Sequence, residues 1–173
     1  MRVVSYEPAL GPLDLTRIKI GSGFVNALTG VVTNDDGSER GTVGSIDWVI
    51  FGGETGPDAR VYHPGWEERV RLDCAHNGVA YFRKQWGEYR PGSDAPDGSL
   101  GATRLEFSRW PIAVVSRDGR VATRRDGQYP RLQDFPHGAN NRDGWVAMRR
   151  VGRKAAGHLL DGVEHQAWPE VQP

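Results

Sequence analysis

The chain has 173 residues, with as many acidic as basic side chains and a formal charge of zero. That balance excludes a global pull towards nucleic acid or anionic membrane and leaves only local patches. The single cysteine, Cys74, excludes an intramolecular disulfide framework and a multi-thiolate metal site drawn from this sequence alone.

Three short apolar runs, rich in β-branched and aromatic residues, read as buried strands, and each ends in a polar signature. Val3-Val4-Ser5-Tyr6 runs into Glu7-Pro8, Ile46 to Phe51 into Gly52-Gly53-Glu54, and Val79 to Phe82 into Arg83-Lys84-Gln85-Trp86. Between the first two, residues 21–45 are rich in Gly, Asn, Asp, Ser and Thr, which predicts a small hairpin or irregular excursion with at most a short crossover helix. Between the second and third, Pro64 suits a first helical position. Trp66, Val70 and Cys74 form an i, i+4, i+8 stripe there, and Asn77-Gly78 stops it. Strand, helix and strand then make a right-handed βαβ unit with parallel strands.

Further on, residues 88–111 predict a long loop, and Ile112 to Arg124 alternates around Asp118-Gly119 as a hairpin. Residues 126–144 read as irregular. Val151, Ala155 and Leu159 predict a helix within Trp145 to Leu160, ended by Asp161-Gly162. The expected organisation is one domain over 1–173: a core over 1–87, a loop and hairpin insertion over 88–144, and a C-terminal helix and tail over 145–173.

In a parallel sheet the carboxyl ends of the strands are where ligands bind, so Glu7, Gly52, Gly53, Glu54, Lys84, Gln85 and Trp86 are the candidate ligand-binding residues. Glu7 suits a cationic or hydroxylated ligand, or closes its strand. The glycines permit close backbone approach to a ligand, or a tight turn. Lys84, Gln85 and Trp86 offer a cation, an amide and a stacking surface, or Lys84 pairs with Glu7 or Glu54. His63 reads as a helix cap and Cys74 as a core residue. Arg149, Arg150, Arg153 and Lys154 form a basic cluster that suits phosphate or a solvated helix face. No hydrolase nucleophile elbow, P-loop or zinc spacing is present, so catalytic residues and metal ligands are not assigned.

Four segments, "VVSYEPALGPLDL", "IDWVIFGGETGPDARVYHPGW", "GVAYFRKQWGEY" and "VGRKAAGHLLDGVEHQAWP", together resemble the C-terminal half of the phage gene product 37/68 family. Full-length members of that family are similar to radical S-adenosylmethionine proteins with a β/α barrel, and their N-terminal half carries a cysteine cluster. The resemblance implies an α/β fold: a partial, half TIM-like β/α barrel with about three parallel strands, an inserted β-hairpin and a C-terminal helix. It implies that this chain is the substrate-side portion of such a protein, as a split subunit or a degenerate remnant. S-adenosylmethionine and an iron–sulfur cluster are then expected only with a complementing N-terminal half, and no cofactor is expected on this chain alone. The implied partner is that half or a second copy of the chain. The other reading is a non-catalytic phage module that binds nucleic acid or a host protein. No apolar stretch suits a membrane span and Met1 leads straight into a strand, so the expected location is cytoplasmic, in the host if the chain is phage-encoded.

Overall fold

The computed structural model describes residues 1–91, 112–122 and 144–170. In chain order, β1 (Val3–Tyr6) leads into β2 (Ile18–Ile20), β3 (Gly23–Val25), β4 (Val31–Asn34) and β5 (Glu39–Thr42). Then come β6 (Trp48–Gly52), α1 (Pro64–His76), β7 (Ala80–Gln85) and β8 (Tyr89–Pro91). The described remainder holds β9 (Ile112–Ser116), β10 (Val121–Ala122), β11 (Trp145–Arg150) and α2 (Arg153–Ala156).

These strands form three sheets: a parallel one in the order β1-β6-β7, and two antiparallel ones, β2-β3-β4-β5 and β10-β9-β11-β8. The expected half TIM-like β/α barrel is therefore not the fold. A β/α barrel requires a helical crossover after each strand, and among the described residues only β6 to β7 has one, through α1. The link from β1 to β6 is instead a four-stranded meander, because tight turns break residues 18–42 into strands of three or four residues and leave no run long enough for a crossover helix. Gly37, at φ +86° after Asp35-Asp36, is one such turn, and the Gly37 N–H donates to the Asn34 carbonyl at 3.0 Å. On the far side, β7 is not continued by another barrel strand. Its edge is covered by the C-terminal tail, where the Arg83 N–H donates to His165 O at 2.6 Å and the Ala167 N–H to Tyr81 O at 3.0 Å.

The expected C-terminal helix is also corrected. Residues 145–150 are a strand at the centre of the second antiparallel sheet, and the helix shrinks to Arg153–Ala156. The Val151, Ala155, Leu159 stripe has helical spacing, but Gly152 and Gly157, at φ +86° and +72°, bracket it to one turn. Trp145, Ala147 and Met148 are buried where the strand runs between β9 and β8. The hairpin around Asp118-Gly119 forms as β9 and β10, with the Gly119 N–H closing onto Ser116 O at 3.0 Å. Residues 92–111 and 126–143, expected as loop and irregular chain, lie outside the described residues, as do Thr123 and Arg124 of the expected hairpin.

The parallel sheet organises the core. Lateral partners in register share a face, so Val4, Val49 and Tyr81 lie on the same face as Tyr6, Phe51 and Arg83. Helix α1 covers that face with Trp66, Glu67, Val70 and Cys74, all buried. Its start is set locally: Pro64 needs no N–H partner, and His63 caps the first turn by accepting from the Gly65 N–H on Nδ1 at 2.9 Å. The opposite face, with Val3, Ser5, Trp48, Ile50 and Phe82, is partly exposed, and among the described residues no helix lies on it. The exposed Trp168 ring does, 4.8 Å from Trp48 and 5.6 Å from Phe82. Parallel sheets are ordinarily covered on both faces.

Candidate functional site

The carboxyl end of the parallel sheet is shaped by one irregularity. Phe51 is in register with Arg83, but Gly52 is in register with Gln85, so β7 advances two residues where β6 advances one. Consecutive strand residues normally point to opposite faces. A bulge suspends that rule and re-aims side chains. Here Lys84 and Gln85 both reach the carboxylate of Glu7: Lys84 Nζ donates to Oε2 at 2.9 Å and Gln85 Nε2 to Oε1 at 3.1 Å. Gly52 makes room for this carboxylate, since a Cβ there would stand 2.9 Å from Glu7 Oε1. Lys84 is 54% exposed and Glu7 18%. The cluster is open to solvent from the lysine side.

Glu54 belongs to a different contact. Its carboxylate accepts from Arg60 Nε and Nη2, both at 2.8 Å, and from the Arg60 backbone N–H at 2.7 Å. These hydrogen bonds, the guanidinium first, hold the Glu54 carboxyl down at about 2, against an ordinary 4.5. A carboxyl depressed on folding contributes stability above its ordinary range, and the contribution is lost as pH falls from about 4.5 towards 2. Glu54→Gln is therefore expected to lower stability at neutral pH and to leave it nearly unchanged at about pH 2, which flattens the acid limb of the stability curve within that window. Urea midpoints from pH 2 to 7 check this, and an unchanged acid limb would contradict the pairing.

Gly53 and Trp86 turn inward. A Cβ on Gly53 would lie 2.0 Å from the Trp86 carbonyl oxygen, so this glycine serves the close crossing of two backbone segments. The Gly53 N–H donates to Gln85 O and the Glu88 N–H to Glu54 O, both at 3.0 Å, closing the same crossing. The Trp86 indole is buried, stacks on Tyr62 at 5.5 Å and donates to Leu159 O at 2.8 Å. It is thus packed apart from the Lys84 and Gln85 side chains that sequence groups it with.

Beneath the rim lies a buried polar network whose members carry no sequence-based expectation of a role. Glu67 on α1 accepts from Arg83 Nε at 2.5 Å, from the Tyr81 hydroxyl at 2.9 Å and from the Tyr62 hydroxyl at 2.7 Å. Arg83 and Glu67 are fully buried, and the guanidinium lies 4.1 Å from the Trp86 ring centre. Burial pushes both tyrosine hydroxyls well above their ordinary range, so they act as neutral donors to Glu67. With Arg83 and Trp86 pinned inward, the two residues between them face out. The signal was present in the spacing: Glu67, Val70 and Cys74 stand at i, i+3 and i+7, and Tyr81 and Arg83 alternate on one face.

The basic cluster is divided between two elements. Arg149 and Arg150 lie on β11, while Arg153 and Lys154 are exposed on α2. Arg150 Nη2 donates to the carbonyls of Gly56 and Pro57 at 2.8 and 2.5 Å, which fastens the loop after β6.

An iron–sulfur cluster does not fit the residues present. Cys74 is buried under the sheet, its thiol is pushed up to about 11 by that burial, and no group of three or more His, Cys, Asp or Glu side chains converges among the described residues. No helix among the described residues is long and apolar enough to cross a membrane.

Fold and site define a mixed α/β protein with a polar cluster at the carboxyl end of a short parallel sheet. Residues 1–169 match the family described as "Protein of unknown function (DUF5131)", and the chain belongs to that family. No curated protein and no solved structure matches it.

Proposed function

We propose that this chain is the ligand-facing, substrate-side portion of a radical-SAM-like phage protein and that the cluster-bearing part is supplied by another polypeptide. The observation that carries the reading is the bulge that turns Lys84 and Gln85 together onto Glu7 at the carboxyl ends of β1 and β7. Ligands in α/β sheets bind at that end. The partly exposed sheet face with Val3 and Ile50, and the outer edge of β1, for which the described residues supply no backbone partner, fit a complementing chain. The buried Cys74 thiol fits a core role, so the thiolates of a cluster would come from that chain.

Anaerobic reconstitution with iron and sulfide tests the division of labour. The isolated chain is expected to retain no stoichiometric cubane. The complex obtained by co-expression with the polypeptide encoded immediately upstream is expected to hold one. A cubane bound by this chain alone would overturn the proposal.

A further inference from the structure

We propose that Lys84 and Gln85 form a two-donor receptor for a small carboxylate-bearing ligand, and that Glu7 occupies this receptor as an intramolecular latch. The inference rests on the reading of this rim as a ligand site and adds to it the ligand class and its control. Three observations support it. The ammonium of Lys84 and the amide of Gln85 each hold one oxygen of the same carboxyl group, at 2.9 and 3.1 Å, a spacing set by the two oxygens of one carboxylate. The bulge that produces this pairing is held from below by Arg83 and Trp86, so the backbone that carries the two donors keeps its arrangement when Glu7 leaves. Glu7, the residue after β1, meets Gly52 through Oε1, Cδ and Cγ of its side chain and not through its backbone, so rotation of that side chain empties the receptor.

Charge gives the selectivity. With Glu7 in place the cluster is neutral, and with Glu7 displaced it presents one cation beside a neutral amide donor, which suits one monoanion. Glu54 does not compete for Lys84, because Arg60 holds both of its oxygens. A ligand carboxylate binds only the unlatched fraction, so its apparent affinity is reduced by that fraction.

Acetate is the probe, followed through the Gln85 side-chain amide and the Lys84 ε-methylene by NMR, with inorganic phosphate and chloride as parallel titrations. Glu7→Ala removes the latch and leaves room for acetate. Gly52→Ala keeps Glu7 but pushes its carboxylate off the donors. Both variants are expected to bind acetate more tightly than the unaltered chain, by on the order of tenfold or more for Glu7→Ala. Adding Lys84→Met to Glu7→Ala is expected to abolish binding. If Glu7→Ala does not fold, as read by circular dichroism, Gly52→Ala carries the test. Equal acetate binding by the unaltered chain and the variants would overturn the latch. No binding by a folded variant would overturn the receptor, and so would phosphate or chloride binding as tightly as acetate. None of these outcomes depends on an upstream partner or an iron–sulfur cluster, so they fail separately from the proposed function.

Discussion

Replacing Arg83 by Met is expected to be the most damaging single change in the molecule. The guanidinium is fully buried, and its removal strands the equally buried Glu67 carboxylate with only two tyrosine hydroxyls for partners. Breaking a buried pair from one side costs about 3–5 kcal/mol. For a chain of this size that lowers Tm by roughly 6–20 °C. Glu67→Gln is expected to be comparably harmful, since it leaves the arginine charge unpaired. The informative variant is the double one. With both charges gone and the glutamine oxygen still able to accept from the tyrosines, its loss should be smaller than the sum of the two singles. Thermal or urea denaturation of the three variants reads this coupling. Additive losses of under about 1 kcal/mol each would mean that the pair behaves as an exposed one.

Gly53→Ala should be the second large effect, and its neighbour is the control. A methyl at Gly53 meets backbone, the Trp86 carbonyl oxygen at 2.0 Å, and also the Tyr62 ring at 2.9 Å, so two chain segments must separate. Overpacking of this kind costs about 1–3 kcal/mol or more. A methyl at Gly52 meets only the flexible end of Glu7, which can swing away. Gly52→Ala should therefore leave the denaturation midpoint nearly unchanged while Gly53→Ala lowers it clearly. Equal effects would contradict the assignment of one glycine to the backbone crossing and the other to the Glu7 carboxylate.

The parts of the fold legible in the sequence are those where one short segment carries its own signal. The runs that became β1, β6 and β7 are apolar and end abruptly, and α1 is bounded by His63-Pro64 and Asn77-Gly78, so the βαβ unit could be read directly. The barrel could not, because closure depends on the kind of connection that leaves each strand. The strands of residues 18–42 are three or four residues long, with β2 and β5 exposed throughout and β4 half-buried throughout, which leaves alternation with little amplitude. The C-terminal helix failed for a related reason: an i, i+4, i+8 spacing takes no account of the two positive-φ glycines inside it.

At the site, Glu7, Lys84 and Gln85 were legible as strand-end residues, and the bulge that unites them was not. Register is a property of paired strands, and a sequence of one strand does not contain it. Trp86 was misplaced by the same extra residue, which returns it to the inner face beside Arg83. The buried Glu67–Arg83 pair is in phase with its apolar neighbours, but charged side chains in a helix and a strand ordinarily face solvent, so that spacing alone does not single the pair out.

Whether this chain works with a cluster-bearing polypeptide across its partly exposed sheet face is tested most directly by light scattering on the isolated protein and after co-expression with the polypeptide encoded upstream. A stable complex of one copy of each is expected, with slowed hydrogen exchange at the amides of Val3 to Tyr6 on the β1 edge. A monomer whose mass and β1 exchange are the same with and without that polypeptide would contradict it.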